Sequence, residues 1–196
     1  MSMPVAVLFA RMDSVYKTFS NCDVWDIDRD ARNWPGGTPL VAHPPCRAWG
    51  RLSHMAKPRE DEPALGLFAV DQIRTFGGVL EHPAHSRLWN AKHMPMPGAR
   101  DEFGGWTLPI HQYWFGHRAQ KATWLYIVGC EPADTPLMPI VLGKAEYVVG
   151  TSGRRKDGTR SGRQKEITKS EREHTPIELA KWLVDLASRC HVQIIA

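Results

Sequence analysis

A thiol and a carboxylate, each just past an apolar run, are the residues of this 196-residue chain best placed to do chemistry. Cys46 ends the run His43-Pro44-Pro45-Cys46. Two prolines fix two φ angles and stiffen that loop, which suits a nucleophile that must be held still. Cysteine attacks as the thiolate, so it needs a lowered pKa or a nearby base; Arg47 and Arg51 supply positive potential. The plain structural alternative is a buried, inert thiol beside a proline turn. Glu81 opens Glu81-His82-Pro83 directly after Val79-Leu80. A carboxylate there is costly to bury without a partner or a task. The alternative is an ordinary exposed glutamate at a strand end.

Other residues offer weaker chemistry. His82 and His85 are three apart, and His111 and His117 precede an apolar run. Imidazoles with carboxylates bind zinc or iron, but His82-Pro83 is a turn and the pair shares no helical face, so no metal site is expected. Trp49, three residues past Cys46, is the tryptophan expected to stack on a base or line a pocket, since an aromatic face is worth ~1–3 kcal/mol per stacked base. Trp124 sits in an apolar strand and reads as core.

The elements that would position these groups alternate between strand and helix. Residues 4–10, 23–28 and 38–43 read as strands, with a short helix over Asp13 to Phe19 between the first two. A helix at about 62–76 carries its apolar stripe on Leu65, Phe68, Ala69, Ile73 and Phe76, with Pro63 in the first turn and Gly77-Gly78 as its stop. Residues 79–81, 107–115 and 122–129 read as further strands, and 150–175 as a loop. Thr175-Pro176-Ile177-Glu178 looks like a capping box for a last helix with a stripe of Leu179, Ala180, Leu183, Leu186 and Ala187. Val192 to Ile195 reads as a closing strand. The pattern predicts one α/β domain, whose ligands would sit at the carboxyl ends of its strands.

Composition narrows the function classes. Hydrophobic residues make up 42% of the chain and there are eight tryptophans, so it is globular and not disordered. No apolar run reaches the ~18–20 residues of a membrane span, and Val5 to Ala10 lacks the flanks of a signal peptide; a cytoplasmic protein is expected. The four cysteines, at 22, 46, 130 and 190, form no C-x-x-C pair and read as free thiols. Net charge is +4. Residues 151–175 alone hold eight Lys or Arg against four Asp or Glu, so the rest of the chain is neutral. That strip, with Arg154, Arg155 and Lys156 at its head, suits a polyanion such as DNA, or else is a solvated loop.

Taken together, Pro44-Pro45-Cys46, then Glu81-His82-Pro83, then Gln120-Lys121 leading into Leu125-Tyr126-Ile127-Val128, resemble the DNA cytosine carbon-5 methyltransferases. The likeness is to their short, phage-type members. The resemblance implies a truncated Rossmann-like methyltransferase sheet with helices on both faces. It implies that Cys46 adds to a flipped-out cytosine and that Glu81, with a raised pKa, grips the base. Arg118 and Lys121 stand in for the family's arginine pair, and Pro45, Arg47, Trp49 and Gln120 line the substrate. S-adenosylmethionine is the implied cofactor, with Asp13, Asp26 or Asp28 on its side of the site. The family's glycine-rich turn is replaced here by Phe9-Ala10-Arg11-Met12-Asp13, and the chain between the second and third strands is too short for a further helix and strand. Two other readings stay open: a pyrimidine-modifying enzyme with another donor or a free-nucleotide substrate, and a lapsed relative that only binds nucleic acid.

Overall fold

The computed structural model describes residues 4–51, 53–139, 141–150 and 165–192. In chain order it has β1 (Val5–Leu8), β2 (Cys22–Trp25), β3 (Leu40–Ala42), α1 (Glu62–Phe76), β4 (Gly78–Pro83), α2 (Leu88–Ala91), β5 (Trp106–His111), β6 (Ala122–Val128), β7 (Tyr147–Val148), β8 (Lys165–Glu166), α3 (Lys169–Glu173) and α4 (Ile177–Ser188). Six strands form one mixed sheet in the order β2-β1-β3-β4-β6-β5. The first four run parallel, and β6 lies antiparallel between β4 and β5. The chain is a single α/β domain.

Strand alternation sends residues of each strand to two cores. Val7, Val41, Val79 and Leu125 pack with Leu179, Leu183 and Leu186 of α4. Leu8, Ala42, Leu80 and Tyr126 pack with Ala69, Val70 and Ile73 of α1 and with Leu88 and Trp89 of α2. Helices therefore cover both faces, and the stripes expected on α1 and α4 are the ones that pack. Gly78 is required where β4 begins. Its φ is 133°, and a Cβ there would lie 2.0 Å from the Leu40 carbonyl oxygen on β3, so only glycine allows the strands to meet.

Other expectations need correction. Residues 15–18 form a 3-10 turn and not a helix. Residues 112–115 form a 3-10 turn after β5 and do not continue the strand. Part of the presumed loop at 150–175 is structured, as β8 and α3. The capping box belongs to α3, where Thr168 and Glu171 bond each other's backbone reciprocally; α4 is preceded by Pro176, whose side chain has no oxygen to cap with. The expected closing strand falls mostly on 193–196, outside the described residues.

From β1 the chain steps to β2 on one side, then crosses to β3 on the other. The carboxyl ends of β1 and β3 thus flank the reversal point where a sheet of this kind opens a crevice. Among the described residues no helix is long and apolar enough to cross a membrane.

Candidate functional site

Register decides which polar groups meet at that edge. Leu8, Ala42 and Leu80 are level across β1, β3 and β4. One residue further on, His43 and Glu81 lie side by side. Each is two residues past a valine buried toward α4, Val41 and Val79, so both point to the α4 face. Thr123 of β6, two before Leu125, joins them there. His43 Nδ1 is 3.0 Å from Glu81 Oε2. Gln112, first in its 3-10 turn, donates from Nε2 to Glu81 Oε1 at 2.9 Å and to Thr123 Oγ1 at 3.2 Å. The hydroxyl of Tyr16 is 2.9 Å from His43 Nε2. Tyr16, Gln112 and Thr123 are fully buried, while the His43 and Glu81 side chains keep 13% exposure each. The result is a continuous polar chain, Tyr16–His43–Glu81–Gln112–Thr123, laid across the sheet edge.

This network corrects the expected state of Glu81. Burial does push its carboxyl up, but the hydrogen bond from His43, the Lys121 charge and the His43 and His82 rings outweigh it and hold the group down to about 2. In the free protein Glu81 is therefore a carboxylate and not a protonated acid. Cys46 lies at the same edge, on an exposed turn whose carbonyl accepts the N–H groups of Trp49 and Gly50. Desolvation raises its pKa, the Glu81 charge raises it further, and Lys121 pulls it back. At neutral pH the thiol keeps its proton. The thiol is thus protonated while Glu81, whose charge reaches it, is ionised.

Lys121 has a φ of 39°, and its carbonyl accepts from Gln112 N–H and the Thr123 hydroxyl, but its side chain makes no hydrogen bond or ion pair with the described residues. Its charge acts on Glu81, Cys46 and His117. Behind the pair, on the opposite face of β4, His82 is buried with neither ring nitrogen hydrogen-bonded. Burial drives its pKa down to about 4 against the attraction of Glu81, so the ring is neutral. The Pro45 carbonyl lies against it, which seats the proline loop on β4.

The other predicted residues are not brought together here. Arg47 pairs with the buried Glu62 at the start of α1, so it anchors the loop and is not free for a substrate. Trp49 packs beside α1, where a Cβ on Gly66 would lie 2.6 Å from its Nε1; its buried N–H has no partner. It is a packing residue and not an open stacking face. Arg118 donates to Glu171 of α3 at 2.7 Å and covers the Tyr147 ring at 4.2 Å, away from Glu81. Gln120 is exposed, with no side-chain bond. Arg154, Arg155 and Lys156 lie outside the described residues. Trp124 is core, as its strand implied.

The cofactor side is closed by its own charges. Asp26, at the end of β2, is 6% exposed, takes Lys17 Nζ at 2.6 Å and accepts the N–H groups of Asp28 and Arg29. Asp13 is bound by Arg11 and His174, and Arg11 also by Glu173. The Asp28 side chain is exposed and makes no bond with the described residues. Phe9 takes the left-handed φ of 62° that a glycine would adopt freely, and its ring packs edge-on to Phe68 at 6.3 Å. Among the described residues no three His, Cys, Asp or Glu come together as a metal-ligand set. Two surface hollows, of about 490 and 650 Å³, lie beside α4 and include neither Cys46 nor Glu81.

Sequence reasoning missed His43, Tyr16, Gln112 and Thr123. One signal was present for His43: it and Glu81 both follow a buried valine by two residues. Nothing local to Tyr16 or Gln112 betrays its partner. Comparison of the chain with family models, with curated proteins and with solved structures gives no match.

Proposed function

We propose that this chain activates carbon 5 of a pyrimidine, in the manner of the DNA cytosine carbon-5 methyltransferases, on a shortened Rossmann-like sheet. The observation that carries the reading is that the loop of Cys46 follows β3 on the same side of the sheet as Glu81 on the neighbouring β4, where the charge of Glu81 reaches the thiol. The strand order, with its reversal between β1 and β3, supports the sheet type.

The chemistry follows from where the proton rests. A cytosine set against Glu81 donates from its exocyclic amine to one carboxylate oxygen and places ring nitrogen 3 beside the other, where it can receive a proton. The sulfur of Cys46 bonds to ring carbon 6 as its proton leaves, and Glu81 conveys that proton to nitrogen 3. The π electrons of the 5,6 bond become an enamine, which makes carbon 5 nucleophilic. Carbon 5 takes a proton from water, loses its original one, and the carbon–sulfur bond breaks as nitrogen 3 returns its proton. Lys121, the cation beside the pair, stabilises the negative charge that develops on sulfur. Buried general acid–base help of this kind contributes ~10²–10⁴-fold.

S-adenosylmethionine does not fit the residues present. No glycine lets backbone approach an adenosyl group after β1, and the carboxylates of Asp13 and Asp26 are already bonded. No step is assigned to that molecule. A nucleic-acid binder without turnover is the second reading, favoured by this closed edge.

Exchange at carbon 5 needs no donor and tests both readings. DNA labelled with tritium at cytosine carbon 5, incubated with the protein, should release tritium to water, and Cys46→Ser should stop it. Binding without release supports the second reading. No release from DNA or from free cytidine nucleotides overturns the first.

A further inference from the structure

Glu81, once ionised, can only accept hydrogen bonds. His43 Nδ1, 3.0 Å away, must therefore carry the hydrogen of that contact. With Nδ1 so engaged, Nε2 faces the buried Tyr16 hydroxyl, 2.9 Å away. The Tyr16 phenol keeps its proton, since burial and the Glu81 charge raise its pKa well above the usual value. Its contact with Nε2 fixes the ring so that Nδ1 faces Glu81. A partner on one ring nitrogen commonly sets what the other nitrogen does.

We propose that His43 is a positioning residue for Glu81, anchored by Tyr16 at Nε2 so that its Nδ1–H donates to the carboxylate, and that it both orients that group and favours its charged form. The role rests on the reading of Glu81 as the group that carries a proton to the base. With Gln112 on Oε1 and His43 on Oε2, the carboxylate plane is pinned from both ends. Each oxygen keeps lone-pair capacity for a base edge. A carboxyl whose charged form is stabilised in this way is a strong acid once protonated, so it releases its proton readily to ring nitrogen 3. Without the His43 donor, one of the interactions that oppose burial and hold the carboxyl ionised is lost, so Glu81 becomes a weaker acid whose plane is fixed from one end only.

The charged and titratable groups around this pair come from six elements and turns. They are Tyr16 after β1, with Cys22 of β2 acting on it; Cys46 after β3; His82 on β4; Lys121 before β6; and Glu173 at the end of α3, which reaches Cys46. His82 is neutral near pH 7 and Lys121 is present in every variant below. The test thus isolates the His43 contribution.

The measurement is the titration of the Glu81 side-chain carboxyl by carbon-13 NMR, in protein labelled on glutamate and assigned with Glu81→Gln. In the wild type the signal should stay that of a carboxylate down to the acid limit of the fold. In His43→Ala its midpoint should rise by about one pH unit or more, the size expected for losing a hydrogen bond to the charged form. His43→Asn, whose amide reaches the position of Nδ1, should keep the midpoint low. Tyr16→Phe should raise it less than His43→Ala, because the ring then loses its anchor at Nε2 but keeps the Nδ1–H that faces Glu81. A midpoint unmoved by both His43→Ala and Tyr16→Phe overturns the proposal; if His43→Ala does not fold, Tyr16→Phe decides alone. The result is separable from the function: absence of tritium release in the wild type defeats the proposed activity and leaves this titration standing. Normal release with an unmoved midpoint defeats the role of His43 alone.

Discussion

Two neighbouring stretches of the same sheet edge treat their charged residues in opposite ways. At the ends of β1 and β2, every buried or half-buried charge is answered by another: Asp26 by Lys17 and two turn amides, Asp13 by Arg11 and His174, Arg11 also by Glu173. At the ends of β3 and β4, Glu81 is oriented but not saturated, Lys121 has no ion-pair partner among the described residues, and Cys46 is exposed beside them. The first stretch is built like a structural turn. The second holds charge at the rim of a core with nothing to neutralise Lys121. Reserve bonding capacity in a partly dry place is the physical mark of a site, because the protein leaves uncompensated what a ligand can compensate.

The contrast can be broken most forcefully at Cys46. Cys46→Ser should lower carbon-5 tritium release by ~10⁴-fold or more, as nucleophile removal does elsewhere. Its melting temperature should stay where it was, because the residue is exposed and packs little. Equal release by the serine variant would end the comparison. Glu81→Gln should cost about 10²–10⁴-fold in release with nucleic-acid affinity kept, since shape survives and proton passage does not.

Asp26 probes the other stretch. Asp26→Asn removes the Lys17 pair and should lower stability by about 1–3 kcal/mol in a denaturant titration, with tritium release per folded molecule unchanged. Adding S-adenosylmethionine should leave the melting temperature of the wild type unmoved. A rise would show that the closed stretch opens for that ligand.

Acid titration separates the two faces of β4. Glu81 titrates at about 2 in the fold against 4.5 ordinarily. The unfolded chain therefore takes up the proton first, and stability present above pH 4.5 is lost as pH falls toward 2. His82 is held down to about 4 from 6.5, so the unfolded chain again binds the proton first and stability falls from pH 6.5 to 4. Two successive losses are expected in a pH series of denaturant unfolding, the upper removed by His82→Phe and the lower by Glu81→Gln. A single loss confined below pH 4 would contradict the buried, neutral His82. The smallest effect belongs to Asp28→Asn, which should change stability and release by no more than ~0.5 kcal/mol equivalent, since its side chain makes no bond with the described residues.

Much of the frame was legible in the sequence. The helical stripes of α1 and α4, the short apolar strands and the glycine stop after α1 depend on residues three or four apart, so spacing alone specifies them. Glu81 was expected at a strand end ahead of a His82-Pro83 turn, but it lies inside β4, which pairs with β6 through Pro83; Cys46 follows β3 by four residues. The misreadings are of a different kind. The chain at 15–18 turns too briefly to build α-helix, and Thr168, not Thr175, caps, because a proline at the N-cap of α4 leaves the serviceable hydroxyl seven residues earlier.

Sequence alone thus determined the alternation of strand and helix, the two residues able to form and accept a proton at one edge, and the lack of a glycine turn after β1. Tertiary structure alone decided what those residues are bonded to. His43 meets Glu81 only because β3 and β4 pair in the register that sets Ala42 beside Leu80, and a shift of one residue would turn either side chain to the other core. The same register makes Glu81 a carboxylate, where burial by itself would have made it an acid. Arg47, Trp49 and Arg118 were withdrawn from the site by Glu62, Gly66 and Glu171. Those partners lie from fifteen to more than fifty residues away in the chain, and no local pattern encodes such distant pairings.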